Sequence, residues 1–246
     1  MQNNHSNVTA DSVTATFDDT AARYEEELNR GVSLTGESRE FFAEQRVQWV
    51  VERLRASGCA PTKVLDFGCG TGGATPYFFS QLSGLKQLVG VDPSEMSLTV
   101  ARQQAAALGR PASYFSTVDE ALASAGPVDL AFCNGVFHHI IPEDRQAALE
   151  SVWKMLVPGG WFAFSENNPW NPMMRYAMSR VSFDKDAILI SPPAAKKLLA
   201  GAGFHVRKLD FLFFFPKALG ALRPLERHLT KAPMGAQYIV FAQRGD

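Results

Sequence analysis

Val64-Leu65-Asp66-Phe67-Gly68-Cys69-Gly70-Thr71-Gly72-Gly73 is the stretch that decides the fold. Val64–Phe67 reads as a buried strand that runs into a turn of alternating glycines. Glycine tolerates positive φ and lets a ligand approach the backbone closely. The turn opens a helix, whose first N–H groups have no partner inside the helix and point at whatever binds there. Gly68, Gly70 and Gly73 also satisfy the GxGxxG spacing of dinucleotide-binding turns, so the turn by itself leaves a nicotinamide cofactor open. Asp66, two residues before the first glycine, favours a different ligand. A carboxylate there receives an ammonium group and repels a pyrophosphate.

Outward from this turn, short apolar runs alternate with helical stretches. Strands are expected at Lys63–Phe67, Leu88–Val91, Ser113–Ser116, Val128–Cys133 and Trp161–Ser165. Helices are expected at 37–57, Ser94–Leu108 and Glu143–Leu156. In the first, Phe41, Phe42, Val47, Val50, Val51 and Leu54 line one face, and Gly58 stops it. Ser94 caps the second and Gly109 ends it. Strand-helix alternation implies a parallel sheet covered by helices on both faces. Asp92 closes the second strand in Gly90-Val91-Asp92-Pro93-Ser94. At the carboxyl edge of such a sheet it can accept both hydroxyls of a ribose, or it can cap the following helix with Ser94. The ribose role fits a nicotinamide cofactor equally well.

Glu166–Ile190 breaks the rhythm with Pro169, Pro172 and Met173-Met174 and reads as a partly helical insertion. Ser191-Pro192-Pro193 then starts a helix, with Ser191 as its cap and proline in the first turn, ending at Gly201 or Gly203. Phe204–Phe215 and Gln237–Gln243 read as two final strands, with Pro216–Gly235 as a second insertion. Residues 1–12 read as a polar tail and 17–30 as helical. The 246 residues are 46% hydrophobic and 20% charged with a net charge of −1. That suits a globular α/β chain and disfavours a nucleic-acid partner, since no run of Lys and Arg makes a basic face. Cys59, Cys69 and Cys133 are too scattered for a zinc site and read as free thiols. The N-terminus lacks the apolar core of a signal peptide, and Phe211–Phe215 is too short to cross a bilayer. A cytoplasmic protein with no membrane span is expected. The sequence is silent on oligomeric state.

Four segments in order resemble the class I S-adenosylmethionine-dependent methyltransferases, and most of all the ubiquinone and menaquinone methyltransferase-like branch. They are Val64–Gly72, Gly90-Val91-Asp92-Pro93-Ser94-Glu95-Met96, Asp129–Ile140 with Asn134-Gly135-Val136-Phe137-His138-His139, and Leu156-Val157-Pro158-Gly159-Gly160. The resemblance covers residues 60–166 well and the rest in outline. It implies a Rossmann-like, seven-stranded, mostly parallel sheet with an antiparallel last strand. It divides the chain into a tail and lid helices at 1–57 and a catalytic domain at 58–246, with insertions at about 166–190 and 216–236. It also implies S-adenosyl-L-methionine as cofactor. Asp66 with Gly68, Gly70 and Gly72 would face its methionine end, Asp92 the ribose, and Pro93 and Met96 the adenine. Asn134 and Phe137 would lie beside the transferred methyl. The adenine amine would be read by Asp119, with Thr117 as the alternative register. Phe17–Tyr24 resembles the family's lid, and Tyr24 would cover the cofactor.

The acceptor is then a small organic molecule of natural-product, aromatic or lipid-like type, with O-methylation favoured over N or C. In-line transfer from a sulfonium mainly requires alignment and exclusion of water. A hydroxyl nucleophile also profits from a base, and His138 and His139 follow the fourth strand at the expected edge. Glu166, at the end of the fifth strand, is a further candidate, its alternative being a bond to the Asn167-Asn168 loop. Trp170, Met173, Met174, Tyr176, Phe183 and Phe213–Phe215 would wall the acceptor pocket or pack as core. No metal is expected, because Cys133 and Asn134 stand where a carboxylate ligand is needed. Two other readings stay open: a nicotinamide-dependent oxidoreductase, and a non-catalytic cofactor-binding member of the fold.

Overall fold

Apolar β-rich runs such as Leu65, Val89 and Val91 demand cover on both faces, and the chain supplies it with three layers. The computed structural model describes residues 35–181 and 187–245. The tail, the helix expected at 17–30, the lid segment with Tyr24, and Phe183 lie outside the described residues. Along the chain the elements are α1 (Arg39–Ala56), β1 (Lys63–Phe67), α2 (Thr75–Gln81), β2 (Gln87–Val91), α3 (Glu95–Leu108) and β3 (Ala112–Phe115). There follow α4 (Val118–Ala125), β4 (Val128–Asn134), α5 (Arg145–Met155), β5 (Leu156–Asn167), α6 (Pro172–Ser179) and α7 (Pro192–Gly201). The last are β6 (Phe204–Leu212), a 3-10 helix (Lys217–Leu225), α8 (Glu226–Leu229) and β7 (Gln237–Arg244).

The seven strands form one sheet in the order β3-β2-β1-β4-β5-β7-β6. β7 runs antiparallel to both its neighbours, and β1 to β5 pair in parallel. The seven-stranded arrangement with its antiparallel last strand is therefore as expected. Strand order reverses beside β1, and in such sheets ligands bind at the carboxyl edge of that reversal. One face is sealed by α1, α2 and α3 through Val47, Val50, Phe78, Leu98 and Ala101. The other is sealed by α4, α5 and α7 through Ala121, Leu149, Val152, Ala195 and Leu199. Among the described residues no helix is long and apolar enough to cross a membrane.

Local signals hold where side chains act on their own backbone. Ser94 accepts from the Ser97 N–H, and Gly109 ends α3 in the left-handed conformation. The helix expected at 37–57 ends as anticipated, with Gly58 at φ +74°. Four expectations need correction. α4 is an addition: its eight residues follow the strand directly and are capped by Thr117, whose hydroxyl accepts from Glu120 N–H. β5 is twelve residues long, since Leu156–Gly160 joins the sheet through a bulge opposite β4 and does not stand apart as a turn. β6 stops at Leu212 because Phe213 adopts φ +64°. Ser191 precedes α7 in extended backbone, but its side chain makes no capping bond.

Candidate active site

Parallel pairing of β1 with β2 sets Asp66 opposite Gly90 and Phe67 opposite Val91. Asp66 and Asp92 therefore share one rim of the sheet. The turn between β1 and α2 is braced from β2: Gly68 and Cys69 N–H both donate to the Val91 carbonyl, at 2.7 and 3.1 Å. Gly68 has φ +71°, and a Cβ there would stand 2.4 Å from Val136 Cγ2. Gly70 also has positive φ, but a Cβ there would meet nothing within 4 Å. The first glycine is thus demanded by the fold. At the second, the protein itself would leave room for a side chain. Gly72 lies over Tyr114, whose hydroxyl pairs with the Thr75 hydroxyl at 2.8 Å.

Asp92 holds the turn as well as the edge. Its Oδ2 accepts from Gly70 N–H at 2.8 Å and its Oδ1 from Ser94 N–H at 3.0 Å.

Asp66 is 4% exposed, and no hydrogen bond to its carboxylate occurs among the described residues. Burial, and next the negative charge of Asp92, push its pKa up to about 7, against the pull of Arg46. Arg46 is a site residue that the sequence reading missed. It lies on α1 one turn after Phe42 and one turn before Val50, on the apolar face, and it is buried. Burial pushes its pKa down to about 10, opposed by the charge of Asp66. No direct ion pair joins the two among the described residues. Arg46 Nε donates to Gln237 Oε1 at 3.1 Å, and the guanidinium stands 5.8 Å from the Phe213 ring. Gln237 in turn donates to Asn167 Oδ1 at 2.9 Å. A cation in the middle of an apolar helical stripe was the available signal, since such a group must find polar company inside.

Glu166 sits on the opposite face of β5 from Asn167 and is fully buried. Its Oε1 accepts from Phe137 N–H at 2.8 Å, and its Oε2 is 2.5 Å from His138 Nδ1. The bond to the Asn167-Asn168 loop does not form. His138 is buried too, whereas His139 is half-buried, with its ring 4.1 Å from that of His138. Arg145 closes the arrangement by donating to the carbonyls of Phe137, Ile140 and Ile188. Glu166, His138 and Arg145 thereby clamp the loop after β4. Asn134 ends β4 on the Asp66 side of the sheet and accepts from Ser165 Oγ at 3.3 Å.

Other expected residues stand elsewhere. The Phe137 ring has no exposed surface and packs against Phe67 and Phe164 in the core, so it does not line the edge. Pro93 and Met96 are exposed, beside Asp92. Asp119 is exposed in the first turn of α4, and Thr117 is occupied as its cap. Trp170, Met173 and Tyr176 are exposed. Among the described residues no cluster of His, Cys, Asp and Glu is arranged to hold a metal ion.

Residues 65–162, which contain the turn, Asp92 and the loop after β4, match the family model described as "Methyltransferase domain". Those residues are similar to a methyltransferase domain. The chain is 32% identical over 126 residues to the "Ubiquinone biosynthesis O-methyltransferase" of Thiobacillus denitrificans, covering 50% of each chain. It is 24% identical to an "mRNA cap guanine-N(7) methyltransferase" of Caenorhabditis elegans over 85% of this chain and 64% of that one. The chain thus spans about half the length of the first curated relatives it matches. In fold it is similar to the magnesium protoporphyrin IX methyltransferase of Synechocystis PCC 6803 with bound SAH, with a TM-score of 0.63. The sequence identity there is 17%, covering 96% of this chain and all of that one.

Proposed function

We propose that the protein binds S-adenosylmethionine at the β1–β2 edge and methylates a small organic acceptor, at oxygen in preference to nitrogen or carbon. The observation that carries this reading is the buried pair of opposite charges, Asp66 and Arg46, which face one rim without neutralising each other directly. Such a pair suits a zwitterionic amino-acid end: carboxylate for ammonium, guanidinium for carboxylate. A dinucleotide has no ammonium to place there, and its pyrophosphate would meet Asp66 at close range. Gly70, with open space above its Cα, gives the ligand its approach. Asp92, half-buried at the same rim, would take the ribose hydroxyls.

When bound, the cofactor supplies a methyl group on a sulfonium centre. The chain's part is to align the acceptor with it, keep water out and manage the acceptor's proton. Glu166 and His138 hold the loop after β4, and the half-buried His139 beside them is the candidate to take the acceptor's proton. The relatives named for ubiquinone biosynthesis O-methylation support a hydroxyl nucleophile. The net charge of −1 speaks against a nucleic-acid acceptor, despite the cap-methyltransferase relative.

Titration calorimetry with S-adenosylhomocysteine and with NAD tests the proposal. Saturable heat is expected for the first alone, lost in Asp66→Asn and weakened in Arg46→Gln. Tight NAD binding with no heat from S-adenosylhomocysteine would sink it.

A further inference from the structure

Eleven large apolar side chains are exposed among the described residues, and seven of them fall in just two short segments, 170–176 and 219–234. In the second segment Leu225 is 52% and Met234 55% exposed. No residue of the 3-10 helix Lys217–Leu225 or of α8 is buried. Leu222 and Leu225 are three residues apart, and in a 3-10 helix that spacing places side chains on one edge. Leu219 precedes them by three at a kink. Helices with no fully buried residue draw little packing energy from their leucines and leave a large part of each for another surface.

Charge says which surface. Residues 216–235 hold Lys217, Arg223, Arg227 and Lys231 against a single acid, Glu226. Glu226 is turned inward, where Oε1 accepts from the N–H groups of Phe214 and Phe215. Arg223 is also turned inward, paired with Glu37 at 2.8 Å. Lys217, Arg227 and Lys231 are exposed, Lys231 with buried Asp210 at 3.4 Å on its inner side. In a chain of net charge −1 this is a local excess of positive charge beside exposed leucines.

The first segment joins it. Asn171 Nδ2 donates to the Met234 carbonyl at 2.6 Å, and Asn168 Nδ2 to the carbonyls of Pro233 and Gly235. α6 then carries Met173, 63% exposed, and Tyr176 outward beside the exposed Arg175 and Arg180. Residues 168–181 contain no acid. Exposed Trp170 rests on Phe211, so it is anchored at one side and open on the other. Apolar residues, an aromatic pair and a rim of Lys and Arg are the composition of a surface that lies in the headgroup layer of a membrane.

We infer that the cap formed by residues 216–235 and α6 docks on an anionic lipid bilayer. The occupant is the bilayer surface itself: leucine and methionine side chains enter the acyl boundary while Lys217, Arg227 and Lys231 meet lipid phosphates. Both segments leave the sheet at the ends of β5 and β6, so the docked face rims the edge where Asn167 and Gln237 lie. The inference stands apart from the choice of cofactor and survives failure of that reading.

Vesicle flotation of the full chain tests it. The chain is expected to float with vesicles of mixed phosphatidylcholine and phosphatidylglycerol, weakly with phosphatidylcholine alone, and to be released by high salt. Leu222→Ser with Leu225→Ser is expected to lower partition about tenfold, and Lys217→Glu about fivefold or more. Met173→Ser, on the other element, acts in the same direction. Leu108→Ser, exposed far along the chain on α3, leaves partition unchanged and controls for general apolar loss. Circular dichroism melts identify any variant that has not folded, and the Lys217 variant reads charge alone. Equal binding to neutral and anionic vesicles, or no binding to either, overturns the inference. So does a concentration-dependent dimer, seen in sedimentation, that the leucine pair abolishes, since the face would then belong to a second copy.

Discussion

Replacing Asp66 with asparagine should remove a pH dependence of stability that the wild-type chain carries. The Asp66 carboxyl titrates near 7 in the folded protein instead of its ordinary 3.8, because burial and Asp92 oppose its charge more strongly than Arg46 favours it. Between those two pH values the folded state holds a proton that the unfolded chain has lost. Stability from this group is therefore full below about pH 4, falls as pH rises, and levels off above 7. At about 1.4 kcal/mol per pH unit, the span implies a loss of up to about 4 kcal/mol from acid to alkaline plateau. The amide of Asp66→Asn is neutral throughout, so the variant should lose this slope and be the more stable protein at pH 8. Denaturant unfolding at pH 5 and pH 8 measures it, as the difference between wild type and variant in their pH sensitivity. The same variant should fail to bind S-adenosylhomocysteine. Wild-type binding at pH 6.5 should release protons, seen as a dependence of the calorimetric heat on buffer, because the ligand's ammonium stabilises the carboxylate. Parallel pH profiles for the two proteins would refute the placement of Asp66 as a buried, unneutralised acid.

The two glycines of the turn should separate fold from binding. Gly68→Ala forces a Cβ against Val136 at 2.4 Å and should lower stability by about 2 kcal/mol or more. Gly70→Ala meets no atom and should cost about 1 kcal/mol for its positive φ, while cofactor affinity measured by calorimetry falls sharply. Glu166→Gln weakens the clamp on His138 and the Phe137 N–H and should destabilise by about 3 kcal/mol in denaturant unfolding. His139→Ala should leave the melt unchanged and lower kcat with little effect on cofactor Kd, by about a hundredfold for a hydroxyl acceptor. Turnover in excess chelator should equal turnover without it; inhibition reversed by a divalent ion would place a metal at the site.

Much of the fold is legible in the sequence because the informative residues act over short distances. A glycine turn after a buried strand, a serine before α3 and a glycine after it report their own backbone conformation. The order of such signals is enough to expect the sheet and its antiparallel last strand by resemblance. Arg46 escapes such a reading because it lies twenty residues before the turn and its partners, Asp66 and Gln237, arrive from β1 and β7. Glu166 stands out in the sequence, but its contacts do not. Whether it reaches its neighbours in the chain or His138 depends on which face of β5 it occupies, and the strand runs further than its apolar run suggests. Phe137 shows the converse: its place in the motif points to the ligand, yet an apolar ring beside Phe67 and Phe164 is better buried.

Residue order alone determined most of the strands and helices, that glycine stands in the turn after β1, and that two carboxylates follow adjacent strands. Hydrophobic period, capping and φ preference are properties of a few consecutive residues, so they are written locally. Only the tertiary structure decided which charges are taken out of water together. Desolvation and Coulomb energy depend on neighbours far apart in sequence, so they set Asp66 against Arg46, tied Glu166 to His138, and left the leucines of 216–235 outside the core.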